Sequence, residues 1–127
     1  MEPVRALKSV VLVTDDIDAT AAFYRDALGV PLELEHHRGT ARHWAGMLGD
    51  QHLAVHPREG FWLPVPATAG AEGTIVSFDV DDLDAIEARL AAHAVPVVAR
   101  THIGPMRFLA VVDPDGRHVC CGTRWPA

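Results

Sequence analysis

Apolar and polar positions alternate along this chain with two different periods, and the switches between them mark out its elements. Val10 to Val13 is an unbroken apolar run, the signature of a buried strand, and it stops at Thr14-Asp15-Asp16, whose carboxylates suit a helix N-cap. A helix is predicted over residues 17–28, with Gly29 as its stop before Val30-Pro31. Three short strands follow, over 31–37, 41–48 and 52–56, with turns at Arg38-Gly39-Thr40 and Gly49-Asp50. Residues 57–73 break the pattern with three prolines and three glycines and read as a connector. The pattern then restarts. A strand over 74–80 leads through Asp81-Asp82 into a helix over 83–94, striped by Leu83, Ile86 and Leu90. Strands over 96–100, 106–112 and 117–122 close the chain, the last two joined by the turn Asp113-Pro114-Asp115-Gly116.

The two halves repeat. Asp15-Asp16-Ile17-Asp18-Ala19 matches Asp81-Asp82-Leu83-Asp84-Ala85 at an offset of 66. Val30-Pro31 matches Val95-Pro96 at 65, and Gln51-His52-Leu53 matches Arg117-His118-Val119 at 66 again. Matches in the same order at nearly the same offset mean duplicated units. The predicted fold is therefore a single α+β domain over residues 1–127, with two tandem βαβββ modules whose curved mixed sheets surround a cup-shaped cavity. Module one spans about 7–57, a connector 58–72, and module two about 73–124.

Composition narrows the partners. A formal charge of -6 and no basic stripe argue against nucleic acid. The apolar runs are far too short to span a bilayer, and the first residues lack the pattern of a secretory signal. The two cysteines, Cys120 and Cys121, are adjacent and unsuited to an ordinary disulfide, which points to a reducing, cytoplasmic setting.

Asp16-Ile17, then Phe23-Tyr24-Arg25-Asp26-Ala27-Leu28-Gly29, and later Val111-Val112-Asp113-Pro114-Asp115-Gly116, resemble the vicinal oxygen chelate superfamily, over almost the whole chain. That group includes glyoxalase I, extradiol dioxygenases, and fosfomycin- and bleomycin-resistance proteins. The resemblance implies a divalent metal held from the first and last strand of each module, and commonly a homodimer. Carried over one at a time, the metal-binding positions fall on Ser9, Ala54, Ile75 and Cys120, again spaced by 66 in pairs. Alanine and isoleucine offer no donor, and serine and cysteine are poor substitutes for imidazole or carboxylate. No metal is expected at these standard positions.

Strand alternation then indicates what faces the cup. If Ala54 points inward, so do His52 and His56, and His118 and Cys120 share the matching face of the last strand. A two-residue turn at Gly49-Asp50 sets His43 across from His56 and Met47 across from His52. A one-residue slip would send Trp44 inward instead. Asp79 alternates inward with Ser77 and is a candidate for a cationic group, while Trp62, beside Phe61, is a candidate cover for the cavity mouth. Arg42 and Arg107 are candidate clamps for an anion, and Trp125 reads as packing. His52 and His118, as repeat mates, should face each other.

Three readings of the histidines stay open: hydrogen-bonded, partly buried side chains, direct ligand contacts, or a relocated metal site of His52, His56 and His118, with Cys120 as a further donor. The ligand-binding set is thus His43, Trp44, Met47, His52, His56, Trp62, Asp79, His118 and Cys120. The expected function is binding or sequestration of a small molecule without a cofactor, of the resistance-protein type, which leans away from an enzyme. Two alternatives are a metal-dependent lyase or dioxygenase with the relocated site, and a non-catalytic accessory or sensor domain.

Overall fold

A computed structural model describes residues 2–37, 41–65 and 73–123. The expected turn at 38–40 and Trp125 lie outside the described residues. Both modules fold as the repeat predicts. The first contains β1 (Ser9–Thr14), α1 (Ile17–Ala22) running into a π-helical stretch (Phe23–Ala27), β2 (Glu33–Glu35), β3 (His43–Leu48) and β4 (Gln51–Pro57). The second contains β5 (Val76–Val80), α2 (Leu83–Ala92), β6 (Ala99–Ile103), β7 (Met106–Val112) and β8 (His118–Thr123). Two four-stranded mixed sheets result, ordered β1-β4-β3-β2 and β5-β8-β7-β6, with the first and last strands of each module parallel.

The helices start and stop where local chemistry requires. Asp16 accepts from the Ala19 N–H and Asp82 from the Ala85 N–H, each at 3.0 Å, satisfying an otherwise unpaired donor of the first turn. The first helix widens at its end, the Leu28 N–H donating to the Phe23 carbonyl at 3.1 Å, and Gly29 closes it at φ +79. Ala94 occupies the equivalent left-handed position after α2, at φ +56. Among the described residues no helix is long and apolar enough to cross a membrane.

Two strands depart from the expected bounds. β2 is three residues long, because the Leu32 N–H turns back onto the Val30 carbonyl at 2.8 Å before pairing begins. β6 lies later than 96–100. Pro96 has no N–H to give, pairing starts with the Val98 N–H on the Ala110 carbonyl, and a tight turn at Gly104-Pro105 joins Ile103 to Met106.

One core serves both modules. Leu12, Tyr24, Leu53 and Val55 from the first pack with Leu83, Leu90, Leu109, Val111, Val119 and Cys121 from the second. A buried polar latch crosses the same seam. Asp113 takes the Tyr24 hydroxyl (2.6 Å) and Arg117 Nη1 (2.9 Å) on Oδ2, and the Asp115 and Arg117 backbone N–H groups on Oδ1. Arg117 Nη2 also donates to the Val13 carbonyl, and Thr20 donates to Asp115 at 3.2 Å. The modules therefore meet within the chain, through the turn that the family resemblance rests on.

Candidate functional site

Register fixes which side chains turn away from the helices. In the first sheet Ser9 pairs with His52 and His52 with Met47; Val11 pairs with Ala54 and Ala54 with Ala45; Val13 pairs with His56. Continuing the β3–β4 register sets His43 beside His56, and their rings stack at 4.1 Å between centroids, 11° from parallel. Glu35 is the cross-strand partner of His43. The predicted two-residue turn at Gly49-Asp50 holds this register.

That register places Trp44 on the opposite face. It packs against the core, with the Arg25 guanidinium 4.5 Å from its ring centroid, so it does not belong with the residues that line the open face. The slip that would have turned it inward would also have turned Leu48, two positions of alternation along the same strand, away from the core it packs against.

An aromatic stack grows from His56. Phe61 and Trp62 set their ring edges against it at 5.3 and 5.2 Å, and His43 lies under its other face. Trp62 itself is 61% exposed, so a large apolar ring stands open to solvent beside a buried imidazole. Burial first, then the neighbouring His43 and His52, pushes the His56 imidazole down to about 4, leaving it uncharged at neutral pH. At the other end of the face, Ser9 Oγ and His52 Nδ1 share a hydrogen bond of 2.6 Å, beside the exposed Met47.

The second sheet offers a different surface. Ser77 pairs with Cys120 and Asp79 with Gly122, while Val112 pairs with His118. Ser77, Asp79, Val112 and His118 are exposed and Cys120 is half-buried. Asp79 lines a cleft of about 350 Å³ with Phe78, Asp81, Asp82 and Ile86 at the start of α2. Arg107 reaches Asp84 at 3.2 Å, and Arg42 is exposed. His52 is bonded to Ser9 on the first sheet, and His118 is exposed on the second.

The family's metal positions sit as the repeat predicts, on β1, on β4, just before β5 and on β8. Ser9 is engaged by His52, Ala54 is buried between Val11 and Ala45, and Ile75 is 64% exposed. The relocated set of His52, His56 and His118 is not gathered either. The one group of three donors close enough to share an ion, among the described residues, is Glu35, His37 and His43. Glu35 and His37 escaped the sequence reading, although the spacing Glu-x-His-x5-His around a strand end was there to be seen. Hydrogen bonding from His37, chiefly, holds the Glu35 carboxyl below the usual carboxylate range.

Similar folds recur among solved structures. An antibiotic binding protein from Streptomyces sp. CB03234 (TnmS3) superposes with a TM-score of 0.72 at 20% identity, over 98% of this chain and 100% of that one. A lactoylglutathione lyase from Agrobacterium tumefaciens gives 0.66 at 22% identity, with 95% of each chain covered. A glyoxalase/bleomycin resistance protein from Catenulispora acidiphila gives 0.67 at 22%, over 94% of this chain and 100% of that one. No curated protein matches the sequence. Likeness at this identity establishes the shared fold, and a family model matches residues 6–120 directly. The chain belongs to the Glyoxalase/Bleomycin resistance protein/Dioxygenase superfamily.

Proposed function

We propose that this protein binds and sequesters a small molecule, without a metal at the family's chelating positions. The observation that carries this reading is the content of those positions: Ser9, Ala54, Ile75 and Cys120, of which two have no donor atom. The ligand surface is the helix-free face of the first sheet, where Trp62, His56, Met47 and His52 offer an aromatic ring, an uncharged imidazole, a thioether and a hydrogen-bonding imidazole. Such a mixture suits a ligand that is largely flat and apolar with a few polar groups. An antibiotic-binding protein of the same fold supports this class of ligand.

The working unit in this reading is a homodimer in the cytoplasm. The exposed helix-free face of the second sheet, with Val112 and His118, is the surface a second copy would cover. Light scattering on the purified protein tests it.

Binding itself is tested by screening aromatic antibiotics, metal-free bleomycin included, for thermal stabilisation in the presence of EDTA. Trp62→Ala and His56→Ala should weaken the response to a hit at least about tenfold, the effect of losing one well-packed aromatic contact. Turnover of the methylglyoxal–glutathione hemithioacetal that is lost on chelation would refute the proposal.

A further inference from the structure

We propose that Glu35, His37 and His43 form a divalent transition-metal site, zinc being the ion that fits the donors, at a place in the fold unrelated to the family's chelating positions. Two imidazoles and one carboxylate are the donor set such ions take. The chain brings them together from either side of one connection. Glu35 ends β2, His37 follows two residues later, and His43 opens β3 as the cross-strand partner of Glu35.

The distances suit an ion. His37 Nε2 lies 3.0 Å and His43 Nε2 3.3 Å from Glu35 Oε2, and all three donor atoms fall within 4.8 Å of one another. Donors held tetrahedrally at zinc's usual bond lengths stand about 3.3–3.5 Å apart, so small side-chain adjustments would seat the ion.

The second observation concerns His43. Its Nδ1 lies 3.0 Å from the Ala41 carbonyl, which only accepts, so Nδ1 carries the proton. Nε2 is then the nitrogen turned toward the Glu35 carboxylate, 3.3 Å away. The His43 side chain is only 5% exposed, so an ion bound there would be poorly screened by water. A backbone carbonyl on the far nitrogen is also how metal-binding histidines are commonly oriented. Stacking on His56 fixes the plane of the ring. Three protein donors leave a fourth position for water or for a donor atom of a bound molecule. The site does not rest on the sequestration reading, because none of its residues occupies a family metal position.

The test uses tag-free full-length protein, stripped with EDTA and dialysed. Titration with zinc chloride should give one ion per chain, and cobalt(II) should give the visible absorption of a tetrahedral complex. Glu35→Gln and His37→Ala should each weaken zinc binding at least about tenfold, whereas His52→Ala and His118→Ala should leave it unchanged. Glu35 and His37 are partly and largely exposed, so both variants keep the fold, which circular dichroism checks. Absence of stoichiometric zinc, or affinity indifferent to both substitutions, would overturn the site. Loss of zinc binding in these variants with antibiotic binding intact would separate this site from the sequestration reading.

Discussion

The Tyr24 hydroxyl donates to the Asp113 carboxylate at 2.6 Å, joining the helix of one module to a turn of the other, 89 residues away. Both groups are buried, and Arg117 completes the pair with a charge-assisted bond of 2.9 Å. Replacing Tyr24 by Phe removes one donor while keeping the ring. Denaturant unfolding should show a loss of about 1–3 kcal/mol, the cost of leaving a buried acceptor short of a partner. Asp113→Ala also removes one of the two carboxylates that hold Arg117 Nη1 and should cost more.

Gly46 is required for a different reason. A Cβ there would lie 1.9 Å from the Pro31 carbonyl oxygen, a backbone atom that cannot swing aside. Gly46→Ala should cost about 3 kcal/mol or more by the same unfolding measurement.

Ala94 predicts the opposite sign. It holds φ +56 where its repeat mate Gly29 holds φ +79. An L-residue is strained in that region and glycine is not, so Ala94→Gly should raise stability by roughly 0.5–1 kcal/mol, net of glycine's greater freedom when unfolded. Circular dichroism melts will show the direction.

Alkaline pH reads the core. Burial, and next to it Cys120, pushes the Cys121 thiol up from 9.0 to about 11. The folded state therefore keeps a proton that the unfolded chain gives up. This contribution is fully present below about pH 9 and is lost as pH rises towards 11, up to about 2–3 kcal/mol. Tyr24, raised by burial and by Asp113, acts in the same direction at higher pH. Unfolding free energies measured between pH 8 and about 10.5 should fall, and Cys121→Ala should flatten the slope.

Much of this was legible in the residues. The offset between Asp16 and Asp82 placed both helix caps, and the turn at Gly49-Asp50 fixed the register that stacks His43 on His56. Trp44 was ambiguous because a single-residue slip reverses every side chain on a strand, and only the pairing of Trp44 with the buried Val55 decides between the two. The Glu35–His37–His43 group was hidden by the brevity of β2: His37 lies beyond the strand, where alternation no longer says which way a side chain points. Arg117 passed as a repeat match, since nothing in sequence shows that its guanidinium reaches back to β1.

Ligand binding in the absence of metal is the decisive property of this protein. Tag-free protein in EDTA should be stabilised by at least one aromatic antibiotic of the screen, by about 2.7 kcal/mol at a hundred times its dissociation constant, with tryptophan fluorescence reporting the same affinity before and after zinc is restored. Binding or turnover that appears only when a metal is supplied, and survives Trp62→Ala, would contradict it.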